Sequence, residues 1–293
     1  MYICKLSLIL PQNHVEMSLL GKVCLITGGT SGIGKETARA LAQMDAHIVL
    51  TARNLELGAT VKQELIETTG NANIDVMPCD LVSFASIMAF AQSFKAKYDR
   101  LHILINNAGL MERQRKVSRD GIELTFAVNH LAPFLLTKLL LETIKASAPA
   151  RIVNVSSDAH RGGVIDFDDL EGKKAYNFWK AYSQSKLANI LFTRHLAQTL
   201  RGTGVTVNCL HPGVVATNFF NLIPAPLRFV GKLFMLSPEQ GAETSVYLAS
   251  SPTVENITGE YFNKKRIAVT SKLAQDADTA ERLWRVSEHY LSV

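Results

Sequence analysis

Cysteine is scarce in this chain: Cys4, Cys24, Cys79 and Cys209 stand far apart along 293 positions. No CxxC pair and no metal-type spacing occurs, which argues against a disulfide framework and against structural zinc. Three of the four lie in apolar runs, where a free thiol behaves as a small buried hydrophobe, so a reducing, cytoplasmic setting is expected. Charge is sparse too. Charged residues make up 19% of the chain, the net charge is +5, and the 31 Lys and Arg are scattered. That pattern leaves no nucleic-acid footprint. No run of 18 uninterrupted apolar residues stands out, so no transmembrane segment is expected, with weak contact to a membrane surface left open. Residues 1–10 are apolar but broken by Lys5 and closed by Pro11, with no basic n-region and no cleavage site. They do not read as a signal peptide, and residues 1–16 are expected to be a disordered extension. Internal repeats, low-complexity tracts and composition breaks are missing as well. One domain is therefore expected over 17–293, and hydrophobic residues at 47% supply its core.

What is present is alternation. Short apolar, β-branched runs at 23–27, 47–52, 74–78, 101–106, 151–156 and 205–210 alternate with helical patterns at about 32–44, 57–68, 83–97, 121–146 and 181–200. Strands apolar along their whole length are buried on both faces, the mark of a parallel sheet between helices. Right-handed crossovers then predict an α/β, doubly wound (Rossmann) sheet of about seven strands, with ligands at the strands' carboxyl ends. The amphipathic stretch 273–291 is expected to pack on that sheet.

The first strand runs into Thr27-Gly28-Gly29-Thr30-Ser31-Gly32-Ile33-Gly34, where a helix begins. Glycines let the backbone turn tightly and approach a pyrophosphate, whose charge is met by the N–H groups and dipole of the helix end. The spacing is G-x-x-x-G-x-G, not the G-x-G-x-x-G fingerprint, and glycines also serve ordinary turns; the position at the first strand–helix junction favours a cofactor. An NAD site calls for an acidic residue at the end of the second strand. None stands there; the chain offers Thr51-Ala52-Arg53. A guanidinium pairs with a 2′-phosphate that a carboxylate would repel, so NADP(H) is the expected cofactor.

Tyr182 and Lys186 stand four apart in a helical pattern and share a face, so their polar ends can address one ligand. A phenol near its usual pKa of about 10 is a poor base at neutral pH, and a nearby ammonium lowers it. Such a phenol can donate a proton to a developing alkoxide or accept one from an alcohol. Y-x-x-x-K alone is common by chance. Here it is joined by Asn106-Asn107-Ala108-Gly109 at the end of the fourth strand, Asn154-Val155-Ser156-Ser157 at the end of the fifth, and Asn129 in the helical stretch between.

In this order the T-G-x-x-x-G-I-G loop, N-N-A-G, the strand-ending serine, Y-x-x-x-K and His211-Pro212-Gly213 resemble the short-chain dehydrogenase/reductase family, over about residues 22–262. AYSQSKLANILFT (181–193), NHLAPFLLT (129–137) and RIVNVSS (151–157) resemble its retinol dehydrogenase-like branch. The resemblance implies Tyr182 as acid/base and Lys186 as the residue that lowers its pKa and holds the nicotinamide ribose. It further implies that Ser157 hydrogen-bonds the substrate oxygen and that Asn129 positions a water linking Lys186 to solvent. For the cofactor it implies Gly28, Thr30, Ser31, Gly32, Ile33 and Gly34 in the loop, Asp80 and Leu81 beside the adenine, Asn107, Ala108 and Gly109 along its side, and Thr217 at the carboxamide. A lid over about 214–240, rich in apolar residues, implies a lipophilic or aromatic carbonyl or alcohol substrate, with ordinary packing or a subunit contact as the alternative reading of that stretch. Homodimer formation through the long helices is a further expectation of the resemblance. The separation of 25 positions from Ser157 to Tyr182 is longer than in the family's shortest forms and reads as a surface insertion beside the site.

Three rivals remain. A C=C reductase of protochlorophyllide reductase type would keep the fold, as would a non-catalytic NADP(H)-binding scaffold. A Ser-His-Asp hydrolase using His160 or His211 lacks the G-x-S-x-G elbow. His195 reads as a surface or packing residue.

Overall fold

The computed structural model describes residues 18–214 and 236–291. Eight strands form one sheet: β1 (Val23–Ile26), β2 (His47–Ala52), β3 (Ile74–Pro78), β4 (Ile103–Asn106), β5 (Ala150–Val155), β6 (Val205–His211), β7 (Tyr261–Asn263) and β8 (Arg266–Ile267). Their order is β3-β2-β1-β4-β5-β6-β7-β8, parallel throughout except for the short antiparallel β7–β8 hairpin. The expected count of about seven missed β8, whose two exposed residues carry no period-2 pattern. Order reverses between β1 and β4, which opens a crevice at their carboxyl ends.

Helices α1 (Gly32–Ala42), α2 (Leu55–Thr69), α3 (Phe84–Lys97), α5 (Ala132–Lys145), α6 (Phe178–Thr199) and α7 (Pro238–Ser250) cover the sheet, and α4 is the single turn Leu124–Phe126. Alternation along each strand builds two cores. Leu25, Val49, Leu104, Ile152 and Val207 face Phe94, Phe134, Leu140 and Phe192 on α3, α5 and α6. Their neighbours Cys24, Ile26, Ile48, Ile105 and Val153 face Leu41, Leu65 and Leu248 on α1, α2 and α7. Both faces are thus sealed, as continuous apolar strands require.

Three further expectations are corrected. The helix expected over 121–146 is not continuous: α4 passes into a π turn, Ala127–Leu131, before α5 begins. This combined stretch, Leu124–Lys145, has the length and mean hydropathy (1.5) to cross a bilayer, yet 78% of its most apolar window is buried inside the protein. Its apolarity is therefore that of a core helix. The terminal stretch splits into a 3-10 turn, Leu273–Gln275, and α8 (Ala277–Leu291). Helix α8 packs on α6, not on the sheet: Trp284 seats against Phe192 and His195, and Leu283 joins Leu187 and Leu191. Residues 1–16, Thr217 and the central part of the expected lid, 215–235, lie outside the described residues; at its edges the Leu236 N–H meets the Val214 carbonyl at 2.9 Å.

Candidate active site

The loop after β1 is held from the neighbouring strand. Thr27 Oγ1 accepts from the N–H groups of Asn107 (3.0 Å) and Ala108 (3.1 Å), and Asn107 Nδ2 donates to the carbonyl oxygens of Thr27 (2.8 Å) and Gly28 (3.3 Å). Asn107 therefore shapes the loop. Gly28 turns at φ +66°, and a Cβ on Gly34 would stand 2.3 Å from the Gly28 carbonyl oxygen. At the start of α1 the Ser31 side chain makes no capping bond and the first turn holds no acid. By contrast Asn54, Ser83 and Asn177 cap α2, α3 and α6. A glycine-walled turn against a helix end whose N–H groups lack a side-chain acceptor fits a dinucleotide's pyrophosphate.

Thr30, Gly32 and Ile33 are half-buried around that turn, and Ser31 is exposed. The next strand closes on the loop, since a Cβ on Gly29 would stand 2.5 Å from Leu50 Cδ2 of β2. Arg53 follows β2 directly and is exposed. Asp80 and the half-buried Leu81 follow β3; the Asp80 carboxylate accepts from the Val82 N–H at 3.3 Å and pairs with Arg119 at 3.3 Å.

The expected catalytic residues meet at the carboxyl edge of β4 and β5. Ser157, just past β5, caps the 3-10 turn Asp158–Gly162 by accepting from the Ala159 N–H at 3.2 Å. Its side chain also acts on the phenol of Tyr182 on α6, favouring the phenolate. Lys186, one turn further on, is buried; its Nζ donates to the Val155 carbonyl at 3.0 Å and lies 5.5 Å from the centre of the Tyr182 ring. Desolvation lowers this amine to about 8. Burial dominates Tyr182 too and pushes its phenol up to about 12, with the Ser157 hydrogen bond opposing it. The lowering expected from Lys186 does not prevail, because the ammonium is turned to Val155 and is itself disfavoured by burial.

Asn129 sits in the π turn, which lets a buried amide project from the middle of a helical stretch. Its Oδ1 accepts from the Leu110 N–H at 2.7 Å, and its Nδ2 reaches the Leu110 carbonyl at 2.8 Å and Ser185 Oγ at 3.0 Å. A Cβ on Gly109 would lie 3.3 Å from Lys186 Nζ and 3.4 Å from Asn129 Oδ1, so the N-N-A-G turn brings strand, asparagine and lysine together.

Sequence reasoning missed the support beneath. Asn106 and Asn154 are paired in register, with Asn106 Nδ2 donating to Asn154 Oδ1 at 2.8 Å and to Thr137 Oγ1 at 3.2 Å. Asn154 Nδ2 continues to Thr193 Oγ1 on α6 at 2.9 Å. Asparagines ending two apolar runs were the available signal, since buried amides need partners. His160 and His211 do not reach the Ser157 hydroxyl: His160 Nδ1 donates to the Ser157 carbonyl, and His211 Nδ1 accepts from the Asp158 N–H. Among the described residues no cluster of His, Cys, Asp or Glu could hold a metal. The insertion lies beside the site, braced by Arg115 and Tyr290 on Glu171 and by Arg282 over Phe167.

Comparison with known proteins points the same way. A family model described as short chain dehydrogenase matches residues 22–226. Human "Retinol dehydrogenase 11" is 45% identical over 273 residues, 92% of this chain and 86% of that protein. Mouse "Retinol dehydrogenase 12" is 47% identical over 281 residues, 95% and 89%. Among solved structures, the "RhlG/NADP active-site complex" of Pseudomonas aeruginosa superposes with a TM-score of 0.71 at 27% identity, covering 89% of this chain and 99% of that one.

Proposed function

The chain belongs to the short-chain dehydrogenase family, in its retinol dehydrogenase-like branch, and we propose that it is an NADP(H)-dependent oxidoreductase interconverting a lipophilic aldehyde, ketone or retinoid-like carbonyl with its alcohol. One observation carries the reading: Tyr182 and Lys186 share a face of α6, with the Lys186 Nζ 5.5 Å from the centre of the Tyr182 ring, where Ser157 also acts on the phenol, beside the glycine loop. NADP(H), when bound, supplies or accepts the hydride.

Everything else falls to this chain's own side chains. Ser157 and Tyr182 hold the substrate oxygen between two hydroxyls. Tyr182 donates its proton to that oxygen in reduction and takes it back in oxidation; a phenol held near 12 favours the donor role. Lys186 would hold the nicotinamide ribose, and Asn129, clamped by Leu110, would position a water through which Lys186 exchanges protons with solvent. Gly28, Thr30, Ser31, Gly32, Ile33 and Gly34 would hold the pyrophosphate and Arg53 the 2′-phosphate. Asp80 and Leu81 would border the adenine, Asn107 to Gly109 would line the cofactor's inner side, and Thr217 would meet the carboxamide. Preference for the phosphorylated cofactor is supported by Arg53 at the position after β2, where an NAD site would carry a carboxylate. The names of the relatives support a retinoid-like substrate. A reducing, cytoplasmic setting is supported by the buried free thiols of Cys24, Cys79 and Cys209.

The test is NADPH and NADH consumption with a panel of carbonyls that includes retinal. NADPH should be consumed with the lipophilic members, and Tyr182→Phe should abolish turnover while NADPH still binds. Tight NADPH binding with every carbonyl left untouched would overturn the reading.

A further inference from the structure

Helix α6 shows two different faces at its N-terminal end. Tyr182 and Lys186 occupy one, and Trp179, three residues before Tyr182, falls on the same face. The indole centroid lies 6.1 Å from that of Tyr182 with 36° between the ring planes. Gln184 belongs to the other face, where it accepts from the Asp166 N–H and donates to the Leu170 carbonyl of the insertion. Packing therefore claims the far side of the helix and leaves Trp179 on the side of the chemistry.

The chain has two tryptophans, and the contrast between them is informative. Trp284 is packed among Phe134, Phe192 and His195. Trp179 is 53% exposed, and Phe178 beside it is 37% exposed. A large ring left in water forgoes the burial that ordinarily stabilises it. An aromatic in that position, in contact with the reactive phenol's own ring, is a surface for a ligand.

We infer that Trp179 is a specificity-determining residue: with the Tyr182 ring it forms an aromatic wall on which the flat, unsaturated part of an aryl or conjugated carbonyl compound stacks while its oxygen reaches Ser157 and Tyr182. This rests on the carbonyl–alcohol reading above and narrows its substrate class from lipophilic to planar. A saturated aldehyde of similar size offers no π face and loses more rotor freedom on binding. Ring stacking accounts for a discrimination of about threefold to tenfold.

The experiment compares cinnamaldehyde with hexanal as oxidants of NADPH, in the wild type, Trp179→Ala and Trp179→Phe. Trp179→Ala should raise KM for cinnamaldehyde about tenfold with kcat little changed and leave hexanal as it was, and Trp179→Phe should restore most of the loss. A binding arm uses the Trp284→Phe variant, in which Trp179 is the sole indole: cinnamyl alcohol with NADP should shield its fluorescence from acrylamide quenching. Equal changes toward both aldehydes, or no change, would overturn the inference while the carbonyl reading stands. Turnover of neither aldehyde by the wild type counts against that reading, and absent shielding then overturns the role of Trp179 independently.

Discussion

Lys186 on α6 sends its ammonium to the carbonyl oxygen of Val155, the last residue of β5, at 3.0 Å and with only 3% of the residue exposed. That bond ties the catalytic helix to the strand end from which Ser157 follows. It also buries a cation, and burial lowers its pKa from 10.5 to about 8. The site is therefore built at some expense to the stability of the empty fold.

A pH dependence follows. Between about 8 and 10.5 the unfolded chain holds a proton on Lys186 that the native amine has lost, so this residue's contribution to stability rises with pH across that window. Below it both states are protonated and the full penalty applies; above it the penalty is gone. Lys186→Met removes the titration. Stability of the wild type relative to that variant should increase by roughly 3 kcal/mol from neutral pH to above the window, measured by urea unfolding of both proteins. A difference that stays flat with pH would show that the amine is not disfavoured by burial.

Arg53 should decide between the two nicotinamide cofactors. It is exposed and directly follows β2, the strand whose Leu50 packs against Gly29. Loss of one charge-assisted contact in Arg53→Ala should weaken NADPH binding about ten- to a hundredfold and leave NADH binding nearly unchanged. Parallel titrations of both cofactors read this out, and equal losses would remove the assignment.

Gly34→Ala probes the cradle without touching charge. The new methyl would sit 2.3 Å from the Gly28 carbonyl oxygen and 2.5 Å from Asn107 Nδ2, a contact that forces the loop off α1. Cofactor binding should fall by more than about tenfold and the thermal midpoint should drop, since overpacking costs about 1–3 kcal/mol. Gly70→Ala serves as a control for backbone strain alone: its φ is +72° but nothing lies within 4 Å of the added methyl. It should lower stability and spare cofactor binding.

The amide ladder under the site should behave as one unit. Asn154→Leu removes bonds to both Asn106 and Thr193 and should destabilise the protein by about 2–4 kcal/mol. Asn106→Leu in the same background should add less than it does alone, because the two share a bond. A double-mutant cycle by chemical denaturation measures the coupling, and strict additivity would show that the ladder is not cooperative.

Much of the frame was legible in the chain. Residues 47–52 and 74–78 are strands over the expected positions, and the loop, both strand-end motifs and the tyrosine–lysine pair lie along one sheet edge. These features depend on composition and local periodicity, which a sequence carries in full. Short apolar runs of strand length, bounded by turn residues and alternating with helical patterns, read as strands buried on both faces, which calls for a parallel sheet with helices on either side.

Other features depend on what a residue meets, and distance along the chain does not report that. The π turn that projects Asn129 lies in a stretch with unbroken helical patterning, and α8 lies on α6 because a covered sheet leaves only a helix to pack against. The Y-x-x-x-K pattern by itself determined that Tyr182 and Lys186 share a helix face. Only the tertiary structure decided that Lys186 turns to Val155, that burial outweighs it at the Tyr182 phenol, and that Trp179 stands uncovered beside them. Desolvation is a property of the surroundings, and the surroundings exist only once the chain has folded.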